Sequence, residues 1–210
     1  MFITFEGPEG GGKTTQIAYL ADWLRAEGFR VLHTREPGGT DIGNQVRRVL
    51  LTPGNAMSAA CEFLLYSASR AQLVNEMIRP ALAAGEIVLC DRYADSTLAY
   101  QGYGRGLDLS ALRTITAFAT GGLQPDLTIY LDIDPAAGLA RRATSSKGLD
   151  RLDAESLDFH HRVREGYMTL MAETPERWTR IDADQPLAGV QGMVIHIVRE
   201  RLARRGLLRL

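Results

Sequence analysis

Five short apolar runs punctuate the chain: Phe2–Glu6, Val31–Arg35, Ile87–Asp91, Leu127–Asp132 and Trp178–Asp182. Residues such as Ile3, Val88, Leu89, Ile129 and Leu131 suit strands buried on both faces, as in a parallel sheet. Several runs end on an acidic residue or meet a glycine. Between the runs, apolar positions recur at intervals of three and four. Ile17, Leu20 and Leu24 do so within Lys13–Glu27, which predicts a helix. Further helices are predicted over Ala60–Ala84, kinked or broken near Pro80, and over Asp108–Thr120, Pro135–Ala143, Glu155–Glu173 and Pro186–Arg205. Strands alternating with helices predict a three-layer α/β fold, with a five-stranded parallel sheet and helices on both faces. Right-handed crossovers then gather the loops that follow the strands along one edge, where ligands bind.

Composition narrows this picture. A chain of 210 residues suits one domain over 1–210, with no linker, repeat or low-complexity segment. At 45% hydrophobic and 23% charged it reads as globular rather than disordered. A formal net charge of −1 gives no global basic field to recruit nucleic acid. No apolar run is long enough for a membrane span, and the start lacks a signal-peptide pattern, so a soluble cytoplasmic protein is expected. Cys61 and Cys90 make no disulfide framework, and Cys90 reads as a small buried hydrophobe. The histidines show no metal-ligand spacing. His160 and His161 are adjacent on a predicted helix, cannot share a face, and read as surface residues.

The candidate chemistry begins after the first strand. Gly7-Pro8-Glu9-Gly10-Gly11-Gly12-Lys13-Thr14, followed by Thr15, fits the G-x-x-x-x-G-K-[ST] phosphate-binding loop between a strand and a helix. Glycines let backbone N–H groups turn inward around phosphate oxygens, and the helix N-terminus adds its dipole. Lys13 is expected on the β- and γ-phosphates of ATP and Thr14 on Mg²⁺. Lys13 and Lys147 are the only lysines among the 24 basic residues, so a lysine in the motif stands out. The third strand ends at Asp91, a candidate for the Mg²⁺ shell. Arg92 beside it offers a planar fork to a phosphate. A nucleotide-dependent switch would need a guanine-reading N-K-x-D segment, which the sequence lacks. A mere ATP-binding module would need no acceptor site.

Three more segments argue for an acceptor site. They are Arg35-Glu-Pro-Gly-Gly-Thr40, Phe63-Leu-Leu-Tyr66-Ser-Ala-Ser-Arg70-Ala-Gln72 and Asp91-Arg-Tyr-Ala-Asp-Ser-Thr97-Leu-Ala-Tyr100-Gln101-Gly102. Together with the loop in its register they resemble thymidylate kinases, over nearly the whole chain. The resemblance implies a P-loop nucleoside monophosphate kinase fold, phosphoryl transfer from ATP to dTMP toward dTTP synthesis, Mg²⁺ with the ATP, and a homodimer packed through helices. It implies Arg92 on the dTMP phosphate, Arg70 on the thymine carbonyl edge and Tyr66 against the base. It places Thr97 and Gln101 at or near the base, Tyr100 near the sugar 2′ carbon, and Glu9 on the 3′-hydroxyl. Arg35, Glu36 and Pro37 would shape the acceptor phosphate pocket. Asp182-Ala-Asp-Gln185 lies where related kinases hold adenine. Taken alone, Tyr66 and Arg70 at i, i+4 also fit a surface cation–π pair. Another nucleoside monophosphate kinase remains the alternative.

The transition state of phosphoryl transfer spreads negative charge that positive groups must surround. Some thymidylate kinases carry an arginine within the loop, where this chain has Gly10. The bacterial pattern supplies the charge from a lid instead, here about 141–152. Arg141, Arg142, Lys147 and Arg151 lie in or around it. Of these Arg142, Lys147 and Arg151 are the catalytic candidates, and the choice among them stays open.

Overall fold

The computed structural model describes residues 1–144 and 148–208. Strands β1 (Phe2–Glu6), β2 (Val31–Arg35), β3 (Ile87–Asp91), β4 (Leu127–Asp132) and β5 (Trp178–Asp182) coincide residue for residue with the five apolar runs. They pair in parallel in the order β2-β3-β1-β4-β5. Central β1 and β4 are buried along their whole length. The rim strands carry exposed polar residues such as His33 and Arg180.

Successive side chains point to opposite sheet faces. Ile3 and Phe5 face α1 (Lys13–Ala26) and α9 (Leu187–Arg204), where Val190, Val194, Val198 and Leu202 join Ile17, Leu20 and Leu24 in one core. Phe2, Val88 and Cys90 face the other side. There α3 (Ala59–Leu73), α6 (Leu109–Thr120) and α8 (Leu157–Glu173) surround Tyr130 with Phe63, Leu112, Phe159, Val163 and Leu170. Among the described residues no helix is long and apolar enough to cross a membrane.

Three departures from the predicted pattern matter for the site. The stretch before Pro80 stays helical but widens into a π-helical turn at Val74–Ile78, ahead of α4 (Arg79–Ala83). Unpredicted α2 (Asp41–Leu51) follows the second strand, capped by the Thr40 side chain accepting from Gly43 N at 3.0 Å. A second unpredicted piece, α5 (Ala94–Thr97) with the π-helical turn Leu98–Gly104, follows β3. Both additions rise from the sheet edge where Glu6, Arg35, Asp91, Asp132 and Asp182 end their strands.

Candidate active site

The chain leaves β1 at Glu6 and winds through glycines into α1. Gly7 and Gly10 have φ of 137° and 70°, and a Cβ on either would strike the carbonyl oxygen of Leu131 or Gly138. Only glycine therefore lets the loop lie this close to β4 and α7 (Pro135–Ala143). Lys13 Nζ donates to Gly7 O at 2.9 Å and Pro8 O at 2.7 Å, spanning the loop from within. Burial lowers its pKa to about 8, and Arg92 nearby adds to the fall. Thr14 Oγ1 donates to Asp91 Oδ2 at 2.7 Å, joining the loop to the end of β3.

Arg92 follows with φ 68°, a left-handed conformation that costs a non-glycine residue roughly 1–3 kcal/mol. Its guanidinium contacts offset that strain. NH2 donates to Glu9 Oε1 at 2.9 Å, and NH1 to Ser96 Oγ at 3.3 Å and Tyr167 OH at 3.2 Å. The group lies over the Tyr100 ring, 4.8 Å from its centroid. Tyr100 OH also donates to Glu9 Oε1, at 2.6 Å. Burial alone would raise the Glu9 pKa, but Arg92, the His160 ring and Lys13 hold it far below the carboxylate range. Behind Arg92 lies Glu6, fully buried, accepting from Tyr93 N at 2.8 Å, Ser96 Oγ at 2.5 Å and Tyr167 OH at 2.8 Å. Burial, with the charge of Asp95, pushes its pKa up to about 7.

The acceptor-side residues come together across α3 and the stretch after β3. Arg70 is 1% exposed, so it forms no surface pair with Tyr66, and its guanidinium faces the Tyr93 ring at 5.7 Å instead. It donates from Nε to Glu36 at 2.7 Å, from NH1 to Thr97 Oγ1 at 2.8 Å and from NH2 to Tyr93 O at 3.1 Å. One cavity of about 390 Å³ is lined by Glu9, Gly10, Gly12, Lys13, Thr14 and Thr15, and by Glu36, Pro37, Tyr66, Arg70, Asp91, Arg92, Thr97, Tyr100, Gln101 and Arg142. Gly7, Pro8 and Gly11 are not among its lining residues.

The arginines in and around segment 141–152 differ in their ties. Arg142 lines the cavity and pairs with Asp153 at 3.1 Å. Arg141 donates to Ala183 O at 2.8 Å and Asp184 at 2.5 Å, across from the strand β5 end. Arg151 is not a lining residue: it donates from Nε to Leu50 O at 2.8 Å and pairs with Glu62 at 2.6 Å. Lys147 lies outside the described residues.

These features bring the comparisons to bear. The family model described as thymidylate kinase matches residues 5–194. The chain belongs to the thymidylate kinase family. It is 56% identical to a thymidylate kinase of Deinococcus radiodurans over 96% of this chain and 97% of that one. To a thymidylate kinase of a Roseiflexus species it is 53% identical, over 97% of this chain and 95% of the other. The crystal structure of thymidylate kinase from Ehrlichia chaffeensis superposes with a TM-score of 0.78 at 34% identity, covering 94% of this chain and 97% of that one. All three carry the same name, and none supports a different monophosphate as acceptor.

Within this family setting, one expectation is corrected. His160 is 2% exposed rather than on the surface, with Nδ1 3.3 Å from Glu9 Oε2. It falls in the buried stripe of α8 with Val163 and Tyr167, and its neighbour His161 takes the outer face. Neither Glu9 Oε2 nor His160 Nε2 has a hydrogen-bond partner among the described residues.

The sequence pattern also passes over Glu6, Glu62, Ser96, Asp153 and Tyr167. Glu6 carried a signal, a carboxylate at the end of an otherwise apolar buried run. Tyr167 carried a sign of burial, its place in the apolar stripe of α8, but none of its contact with the loop, and Asp153 carried none, because only the tertiary fold brings these residues there. Oxygen donors dominate where a metal is implied. Thr14 and Asp91 are hard ligands of the kind Mg²⁺ takes, one or two protein oxygens alongside phosphate and water.

Proposed function

We propose that the chain transfers the γ-phosphoryl group of ATP to dTMP in one in-line step, giving dTDP and ADP without a phosphoenzyme. The observation that carries this reading is the single cavity joining the phosphate loop to Tyr66 and Arg70, with Arg92 tied to the loop through Glu9. In it the loop N–H groups cradle the donor phosphates and Lys13 exchanges its carbonyl partners for phosphate oxygens. Arg92 grips the acceptor phosphate, and Tyr66, Arg70, Thr97 and Gln101 receive the base. Thr14 and Asp91 would hold Mg²⁺. When bound, the ion neutralises charge on the transferring phosphates. A cytoplasmic location belongs to the same proposal. The test is turnover itself, ADP release with dTMP as acceptor.

The segment about 141–152 acts as a lid, with Arg142 and Lys147 supplying charge and Arg151 anchoring its base. Arg142→Ala is therefore expected to lower kcat roughly 100-fold with a smaller change in KM, because its contact forms on closure. Arg151→Ala strips one of two cations from buried Glu62 and is expected to lower stability by about 1–3 kcal/mol. Steady-state kinetics and thermal melts of both variants separate these roles. Wild-type kcat in Arg142→Ala, alone and combined with Lys147→Ala, would remove the lid from the mechanism.

Tyr100 sets the sugar. Its ring occupies the space a 2′-hydroxyl needs, and burying that hydroxyl unpaired costs roughly 1–3 kcal/mol, one to two decades in specificity. Tyr100→Phe keeps the ring but removes the 2.6 Å bond to Glu9, so kcat/KM for dTMP drops while the preference over its ribo-analogue stays. Tyr100→Ala loses that preference. An equal loss on both sugars in the alanine variant would instead make Tyr100 a packing residue only.

The family-implied homodimer has a candidate face. Phe118 on α6 is 89% exposed, and Leu64 on the adjacent α3 is 54% exposed. Exposed apolar surface of this kind marks association sites. Phe118→Glu is expected to shift the protein from dimer to monomer in sedimentation velocity. A dimer of unchanged strength would move the interface elsewhere.

A further inference from the structure

Glu62 on α3 is 1% exposed, yet it lies outside the cavity and has no part in the transfer described above. A buried carboxylate is stable only when paired and hydrogen-bonded. Glu62 Oε1 accepts from Gln101 Nε2 at 2.7 Å and Arg105 Nε at 3.2 Å. Oε2 accepts from Arg105 NH2 at 3.0 Å and pairs with Arg151 at 2.6 Å. Burial works to raise its pKa, but hydrogen bonds from Arg105 and Gln101 and the ion pair with Arg151 hold the carboxyl below its ordinary range. Glu62 is therefore ionised and can only accept.

That fact orients Gln101. A side-chain amide has a donor end and an acceptor end, and its neighbours decide which way it turns. An acceptor-only partner admits only the NH2 end. Gln101 is 2% exposed and lines the acceptor cavity, so its carbonyl is the end left to face a ligand there. Arg70 lines the same cavity and can only donate. Arg70 and Gln101 together thus offer a base edge a donor beside an acceptor. Thymine presents a carbonyl oxygen beside a ring N–H, which complements that pair. Cytosine presents an amino group beside a bare ring nitrogen, which opposes it.

We propose that Glu62 is a specificity-determining positioning residue, which locks the Gln101 amide with its carbonyl toward the cavity and so favours thymine over cytosine. This rests on dTMP being the acceptor. Glu62→Gln tests it sharply. Arg105 NH2 and Arg151 still demand an acceptor at the Oε2 place, against one contact from Arg105 Nε at Oε1, so the introduced glutamine keeps its carbonyl at Oε2 and turns its NH2 to Gln101. The Gln101 carbonyl is then drawn out of the cavity and its NH2 swings in.

The experiment is kcat/KM with ATP for dTMP and for dCMP, alongside thermal melts. The variants are Glu62→Gln, Gln101→Met, their double mutant and Arg105→Met. The wild type is expected to prefer dTMP. The dTMP:dCMP ratio is expected to fall about tenfold or more in Glu62→Gln. It falls comparably in Gln101→Met and no further in the double mutant, because Glu62 acts through Gln101. Arg105→Met weakens the carboxylate's support but leaves the Gln101 bond, so it lowers the melting temperature and keeps the ratio. A folded Glu62→Gln enzyme with the wild-type ratio overturns the proposal, as does an additive double mutant. If Glu62→Gln does not fold, Glu62→Asp decides. It keeps the charge and retracts the acceptor by one methylene, so an unchanged ratio there also overturns it. A wild type that does not turn over dTMP refutes the functional reading itself, a distinct result.

Discussion

Replacing Lys13 by alanine is expected to cut turnover by roughly 10²–10³-fold, the scale of losing one preorganised charge-stabilising donor. Binding of dTMP should largely persist. In the free protein Lys13 Nζ is held by the carbonyls of Gly7 and Pro8, so it is already aimed into the loop before a phosphate arrives. Its depressed pKa adds a pH signature. A base whose pKa falls to about 8 loses its proton as pH rises past that value. The profile of kcat/KM for ATP, which reports the free enzyme, should therefore bend downward above about pH 8, and Lys13→Ala should remove the bend. Stability moves the opposite way. Keeping Lys13 charged in a buried site disfavours the folded state below pH 8, and that penalty eases between about 8 and the ordinary lysine value. Near-normal turnover in Lys13→Ala, with ATP binding intact by calorimetry, would overturn the placement of the donor phosphates.

Arg92→Ala should weaken dTMP binding and slow transfer together. Truncating one partner of a buried, hydrogen-bonded charge pair typically costs about 2–5 kcal/mol. Arg92 has two such partners in prospect, the acceptor phosphate and Glu9, its 2.9 Å neighbour. Among the described residues its removal leaves Glu9 with Tyr100 and His160 at its carboxylate. The loss should be much smaller for thymidine, which has no phosphate. Calorimetric titration of both ligands reads the difference. Equal losses would assign Arg92 to holding the loop rather than the phosphate.

The inner strands β1, β3 and β4 are legible in the sequence because a sheet covered on both faces demands nearly unbroken apolar runs, whereas rim strands β2 and β5 are interrupted by exposed His33 and Arg180. The same logic hides α2. Its Ile42 and Val49 stay exposed, 53% and 48%, so its apolar residues do not form one buried stripe. A signal was present in the Thr40 cap, since the next glycine, Gly43, is fitted to the turn: a Cβ there would lie 2.9 Å from Gly38 O. The phosphate loop is legible because its glycines, lysine and threonine are contiguous. The acceptor side is legible only through family strings, because α3 and the segment after β3 meet in space and not in sequence.

His160 shows a different limit. Adjacency to His161 rules out a shared face but does not say which of the two is buried. The spacing His160, Val163, Tyr167 did carry that information. Glu62 and Arg151 mark the last limit. A basic run near a lid reads as free charge until the buried carboxylate that holds it comes into view.

Coupled ADP release with dTMP, dUMP, dCMP, AMP and GMP under one set of conditions tests ATP-dependent phosphorylation of dTMP. The highest kcat/KM is expected with dTMP, together with a dTDP product matching the ADP released. A higher kcat/KM with any of the other four, or ADP released without dTDP, would contradict it.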